Sequence, residues 1–159
     1  MMALFYLFVF LLSFCFMEFM AWFAHKYLMH GVLWFLHEDH HVKEPGFFEK
    51  NDAFFMIFAI PSWLFIMFGM MGGMDWRLYF GLGILAYGIC YFLVHDVLIH
   101  RRFSWFQKVR NPYFQAIIRA HNTHHKNRGK HRGESFGMLF VPKRYYQMSF
   151  EKNKKSAKQ

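Results

Sequence analysis

Apolar and polar positions are unevenly spread along this chain. Met1–Trp22 carries one charge, Glu18, while Ala53–Met74 and Leu78–Val94 carry none. Each stretch comes close to the ~20 apolar residues with which a helix crosses the ~30 Å hydrocarbon core of a bilayer. The third, at 17 residues, sits at the short end and predicts a thinned bilayer or little tilt. Short polar connections separate them. In VKEPGFFEKND, Pro45-Gly46 reads as a turn and Asp52 as the cap of the next helix; MGGMDWR is a tight turn. Pro61 falls inside the second stretch, where a membrane helix tolerates it with a kink. Further on, Asn111-Pro112 marks a helix start, an N-cap followed by proline at the first helical position. From there Phe114, Ile117, His121 and His124 with His125 recur at i, i+3/i+4 spacing, so an apolar stripe runs into three imidazoles. The pattern predicts an all-α integral membrane protein with three transmembrane helices. Residues 1–150 form a single membrane-embedded domain in this reading, and 151–159 a basic, disordered tail.

Composition agrees: 23% of the 159 residues are aromatic and 18% charged. The N-terminus, MMALFYLFVF, lacks the basic region and small-residue cleavage site of a signal peptide and reads as a retained span. Cys15 and Cys90 are too few and too isolated for a disulfide framework, a zinc ribbon or an iron–sulfur cluster. The formal net charge of +9 could mean a nucleic-acid partner, but its distribution says otherwise. With three spans, the chain after span one and after span three emerges on the same side. Of 19 Lys and Arg residues, only Arg77 lies opposite, which leaves 18 on that side. Cytoplasmic loops carry the excess of Lys and Arg, so this side and the C-terminus are expected in the cytoplasm, with the N-terminus outside. No base-reading motif accompanies the charge, and nucleic acid is excluded as a partner.

The chemistry lies in the histidines. Ten of the eleven fall in four clusters: His25 with His30, His37 with His40 and His41, His95 with His100, and His121 with His124 and His125. The series is H-x4-H then H-x2-H-H, and the same again after a span that only carries the chain back. In H-x2-H-H, residues at i, i+3 and i+4 share one helix face, so all three imidazoles can aim at one point. In H-x4-H the pair stands about 140° apart on an α-helix, so it flanks a cleft or sits on a distorted turn. Neutral imidazole is the commonest transition-metal ligand, and ten unpaired ones at a membrane boundary would be costly. These clusters predict a histidine-rich helical cap on the cytoplasmic side. Ten ligands divide as five per ion over two ions; zinc usually stops at four, whereas iron accepts more and leaves room for oxygen chemistry. His131 stands outside every cluster and reads as solvated.

The four clusters in this order between spans resemble those of the histidine-motif diiron enzymes of the fatty acid hydroxylase and sterol desaturase superfamily. More narrowly, the small size, HEDHH, HDVLIHRRF, HNTHH and ESFGMLFVP are similar to the bacterial β-carotene hydroxylases. The resemblance runs from about His25 to Pro142. It implies a monooxygenase of a bacterial inner membrane that hydroxylates carbon 3 of β-ionone rings, giving zeaxanthin through β-cryptoxanthin, with ketolated rings as further substrates. It also implies two iron ions, with zinc as a substitute, and O2 as co-substrate. His25, His30, His37, His40, His41, His95, His100, His121, His124 and His125 would be the ligands. The family is often described with four spans, which keeps four as the alternative to three.

Several other residues follow from that chemistry. Glu38, Asp39 and Asp96 are candidates to accept imidazole N–H bonds and so fix tautomer and ring direction; Tyr91, one turn before His95, is another. Glu18 lies two turns before His25 and inside the membrane, where a carboxylate is a functional candidate by default; the alternative is a partner on another helix. Phe14, Met17, Met56 and Phe92 could line an apolar passage for the lipid-soluble substrate. The chain holds no G-x-G-x-x-G, cysteine cluster or haem-binding module, so electrons must come from an external donor. The basic surface suits an acidic ferredoxin or flavodoxin, and equally the anionic headgroups of the bilayer. Competing readings are another lipid hydroxylase, a desaturase or a carotenoid ketolase at the same site. His37-Glu38-Asp39-His40-His41 also satisfies the H-E-x-x-H zinc metalloprotease pattern, but that leaves the second set of clusters without a role. A metal transporter would carry its ligands near mid-span rather than at one face.

Overall fold

The computed structural model describes residues 1–42, 45–106 and 108–156. Helix α1 (Met2–Phe23) passes directly into a π-helical segment, Ala24–Val32, and then into α2 (Trp34–His41). A 3₁₀ turn at Lys50–Asp52 opens α3 (Ala53–Met71), which contains Pro61. Helix α4 (Trp76–Phe92) runs into a second π-helical segment, Leu93–Ile99. Helices α5 (Pro112–His125) and α6 (Lys143–Ser156) complete the described chain, in which no strand occurs.

Three helical stretches are long and apolar enough to cross a membrane: Met2–Val32, Lys50–Met71 and Trp76–Ile99, with mean hydropathies of 2.1, 2.1 and 1.9. The described residues hold no fourth. The third stretch is 24 residues long because it starts at Trp76 and continues through the π segment, so it needs no thinned bilayer. At its start, Asp75 accepts the backbone N–H of Arg77 and pairs with the same arginine's side chain, neutralising the one far-side cation.

Helix α4 lies between α1 and α3, and two glycines let it approach both. A Cβ at Gly83 would collide with Ser13 Oγ on α1, and one at Gly81 would stand 2.8 Å from the Ser62 carbonyl on α3. Ser13 and Ser62 satisfy their own hydroxyls on the Phe10 and Gly81 carbonyls, so close approach leaves neither donor stranded. Met17, Ile84 and Tyr87 form the buried centre of this packing. Leu4, Phe8, Leu11 and Phe19 on α1, with Met56 and Ile60 on α3, are exposed, as residues facing lipid must be.

Asn111 caps α5 by accepting the Tyr113 N–H, with Pro112 at the first helical position, as the sequence predicts. Asp52 differs from its expected role. Its side chain closes a capping box with Glu49 around the 3₁₀ turn and pairs with Arg102, and makes no capping bond to α3. After α5 the chain runs without helix through residues 127–142 and returns to the spans. There Met138 packs with Val94, Ile99 and Ile117. Helix α6 then folds against α5, setting Tyr145 on Ala116 and Ala120. Helical backbone reaches Ser156, well into the segment read as a disordered tail; residues 157–159 lie outside the described residues.

Candidate metal centre

His25 and His30 lie on the first π-helical segment, and His95 with His100 on the second and its C-terminal cap, the distorted turn that is one of the two arrangements their spacing allows. The His100 N–H donates to the His95 carbonyl at 2.9 Å, an i→i+5 bond. A helix closed by such bonds brings residues five apart round to the same side, where an α-helix would leave them on different faces. The spans therefore end with both imidazoles of each pair turned inward.

Two groups result. His25, His30, His37, His41 and His124 form one; His40, His95, His100 and His121 form the other. In each group the candidate ligand atoms lie within 4.8 Å of one another. His125 stands beside the second group, its Nε2 2.8 Å from that of His121. The expectation that each H-x2-H-H aims at one point is corrected. On α2, His37 and His41 join the first group while His40 crosses to the second. On α5, His121 and His125 face the second group while His124 crosses to the first. Residues i and i+4 lie about 40° apart on a helix, but i+3 and i+4 lie about 100° apart, enough to divide them between adjacent centres.

The outer nitrogens fix the inner ones. Nδ1 of His25, His30, His41 and His124 donates to the backbone carbonyls of Phe136, Lys130, Asn127 and Glu134, at 2.9–3.1 Å. His37 Nδ1 meets Asn51 Oδ1 at 2.7 Å. In the second group, His40 Nδ1 donates to Glu49 Oε2 at 2.7 Å and His95 Nδ1 to Asp96 Oδ2 at 3.3 Å. With the proton on Nδ1, each Nε2 presents a lone pair to the interior. Burial, ahead of the neighbouring imidazoles, holds His41 down at about 4, His124 at about 3 and His37 at about 2. All three are neutral at physiological pH, the form that ligates metal.

The lone pairs converge. Nε2 of His124 is 3.0 Å from that of His30 and 3.2 Å from that of His41. In the other group, Nε2 of His40 and His95, and of His100 and His121, stand 3.0 Å apart. Nε2 of His25 and His37 is buried with no hydrogen-bond partner. Lone pairs facing each other at this range repel unless a cation lies among them. Two nitrogens about 2.1 Å from one ion stand about 3.0 Å apart at a right angle and about 3.4 Å apart at a tetrahedral one. The separations here fit right angles, and five converging donors exceed what a tetrahedral zinc site holds. The residues therefore fit two ions, the first with more than four ligands and the second with four, beside which His125 stands.

The other predicted residues divide. Asp96 does bond an imidazole. Asp39 is buried but accepts the backbone N–H of Lys50, at 2.5 Å, and Glu38 is exposed on the outer face of α2, unlike the general base of a protease. Tyr91 stacks on His95, centroids 4.9 Å apart. Glu18 meets no histidine: it accepts the Tyr87 hydroxyl at 2.6 Å and the backbone N–H groups of Met138, Leu139 and Phe140 at 3.0–3.1 Å. His131 is exposed. Sequence reasoning missed Glu49, Asn51 and Arg102. Arg102 donates to Asp96, Asp52 and the Phe47 carbonyl, tying the carboxylate behind His95 to the capping box of Glu49 and Asp52. For Glu49 and Asn51 the signal is the polar run EKND between a histidine cluster and an apolar span.

A cavity of about 590 Å³ lies between α1, α3 and α4. It runs from Ser62, Trp63 and Ile66, midway along α3, past Phe58 and Ile84 to Tyr91, His95 and Asp96. Met17 and Phe92 line it, as expected, whereas Phe14 packs edge-on against Tyr87 and Met56 faces outward.

Comparison with known proteins adds the lineage. The profile of the fatty acid hydroxylase family matches residues 10–142. The chain is 43% identical to a β-carotene hydroxylase of Pantoea ananas over 79% of its own length and 71% of that protein. It is 40% identical to one from Pseudescherichia vulneris over 84% and 75%. A chloroplastic β-carotene hydroxylase of Capsicum annuum is 41% identical over 80% of this chain and 41% of that longer protein. No solved structure matches the chain.

Proposed function

The chain belongs to the fatty acid hydroxylase family, and from that membership we propose that it is a membrane monooxygenase that hydroxylates carbon 3 of β-ionone rings, converting β-carotene to zeaxanthin through β-cryptoxanthin. The names of its bacterial and plant relatives support the substrate class. The observation that carries the reaction is the apolar cavity, which leads from mid-span to His95 of the second histidine group. A lipid-dissolved ring can thus reach the ligand cluster without entering water.

The five-histidine group and His40, His95, His100, His121 and His125 would hold two iron ions, which would supply the activation of O2 that an unactivated C–H bond requires. The chain's own residues bind, orient and keep the site dry. Tyr91 and His95 wall the inner end of the cavity, so a ring seated there meets a flat aromatic face. Phe136 packs its ring against His25, His30 and His124, at 5.1–5.4 Å, and shields the first group from solvent. The carbonyls and carboxylates around the centre hold the proton at each Nδ1, leaving Nε2 free to ligate.

The site faces the cytoplasm of a bacterial inner membrane, with the N-terminus outside, by the distribution of Lys and Arg. Electrons come from an acidic ferredoxin or flavodoxin attracted to the basic surface.

Expression in bacteria that accumulate β-carotene tests the reading. Pigment extracts should contain β-cryptoxanthin and zeaxanthin when O2 is present. Membranes that hold the protein but leave the pigment unaltered would overturn the substrate. A metal content of about one ion per chain, or zinc with peptidase activity, would overturn the diiron centre.

A further inference from the structure

Residues 127–141, which carry no helix, do two jobs. The first half of this segment presents four backbone carbonyls, of Asn127, Lys130, Glu134 and Phe136, to four of the five histidines in the first group. The second half turns three successive N–H groups, of Met138, Leu139 and Phe140, onto a single carboxylate inside the membrane, that of Glu18. Consecutive N–H groups directed at one anion form a nest, and Glu18 fills it. The Tyr87 hydroxyl occupies Glu18 Oε2 from the other side and fixes the carboxylate against α4. The segment is thus a strap, continuous with α5 at one end and clamped at the other.

We propose that Glu18 is a positioning residue for the five-histidine group, acting through this strap rather than through any contact with an imidazole. Phe136, whose carbonyl accepts the hydrogen bond of His25 Nδ1–H, lies two residues from Met138, whose N–H Glu18 holds. Gly137 between them has no room to spare, since a Cβ there would stand 2.6 Å from the Phe140 carbonyl and 3.2 Å from Glu18 Oε1. Releasing the clamp frees the carbonyls that keep the proton on Nδ1 of His25 and its neighbours. The second group is spared. Its His40 and His95 are held by Glu49 and Asp96, which sit on the chain before α3 and in the second π-helical segment. Of its two carboxylates, neither touches the strap.

The inference rests on the reading of the histidine groups as two metal sites, and one experiment separates the two. Purified wild-type protein, stripped of metal, is titrated with Co(II) and followed by its ligand-field absorption. Two equivalents should bind; uptake of fewer by the wild type would overturn the metal reading itself. Glu18→Ala should then weaken one equivalent about 10–100-fold and leave the other at its wild-type affinity. Glu18→Gln, which keeps one acceptor oxygen, should fall between. Unchanged binding of both equivalents would overturn the role of Glu18. So would equal weakening of both in a protein of wild-type helicity. Should neither variant fold, Tyr87→Phe, which removes one donor from the clamp, decides by the same readout: selective weakening of one equivalent supports the inference and unchanged binding overturns it.

Discussion

The two histidine groups use the same ligand and differ in what stands behind it. Around the first, the outer nitrogens meet neutral oxygens, four backbone carbonyls and the Asn51 amide. Around the second, those of His40 and His95 meet carboxylates, Glu49 and Asp96, with Arg102 holding Asp96 and Asp52 in one network. A carboxylate behind an imidazole makes it the more basic ligand and stabilises positive charge on whatever it binds. The group with carboxylate support is also the one that borders the cavity. One centre is thus built for retention by a strap of backbone, and the other for charge next to the substrate.

The largest effect should come from removing an imidazole that crosses between groups. His124→Ala lies in the second half of the chain yet should empty the first group, and His40→Ala should do the converse. Metal analysis should show one ion lost per chain in each case, with hydroxylation abolished. Loss of the opposite ion, identified by which resonances or absorption bands disappear, would dissolve the division between the groups. Next comes the carboxylate support. Glu49→Gln should weaken metal binding at the second group by about 10–100-fold and leave the first unchanged. Asn51→Asp tests the difference from the other side, since it gives the first group a carboxylate like its neighbour's. A smaller effect is expected from Ala59→Phe, at a residue of α3 that lines the cavity and would narrow it: the concentration of carotenoid for half-maximal rate should rise severalfold while metal content stays at the wild-type value. His131→Ala, at an exposed histidine outside both groups, should change neither metal nor activity.

How far the sequence carried can be read from particular residues. Three apolar stretches gave three spans, because burial in lipid requires uninterrupted apolar helix and few other patterns mimic it. The ten histidines came together because cluster spacing encodes which residues share a helix end. The exchange of His40 and His124 was invisible, since one helix in isolation has a face but no neighbours to divide it. The partners of the outer nitrogens were harder still. Four of them are carbonyls of residues 127–136, and any amino acid supplies a carbonyl, so no residue type marks the strap. Glu18 was conspicuous as a charge in a span, and Tyr87 on α4 is the partner on another helix given as the alternative, but its other partners are backbone N–H groups some 120 residues away.

The exchange of imidazoles also governs when the protein can acquire metal. A nascent chain that has emerged only as far as His41 displays four members of the first group and one of the second. The fifth member, His124, leaves the ribosome 83 residues after His41, once all three spans have been synthesised. Neither centre can close on half a protein. An ion that needs all five imidazoles of the first group must therefore wait until the chain has passed His124.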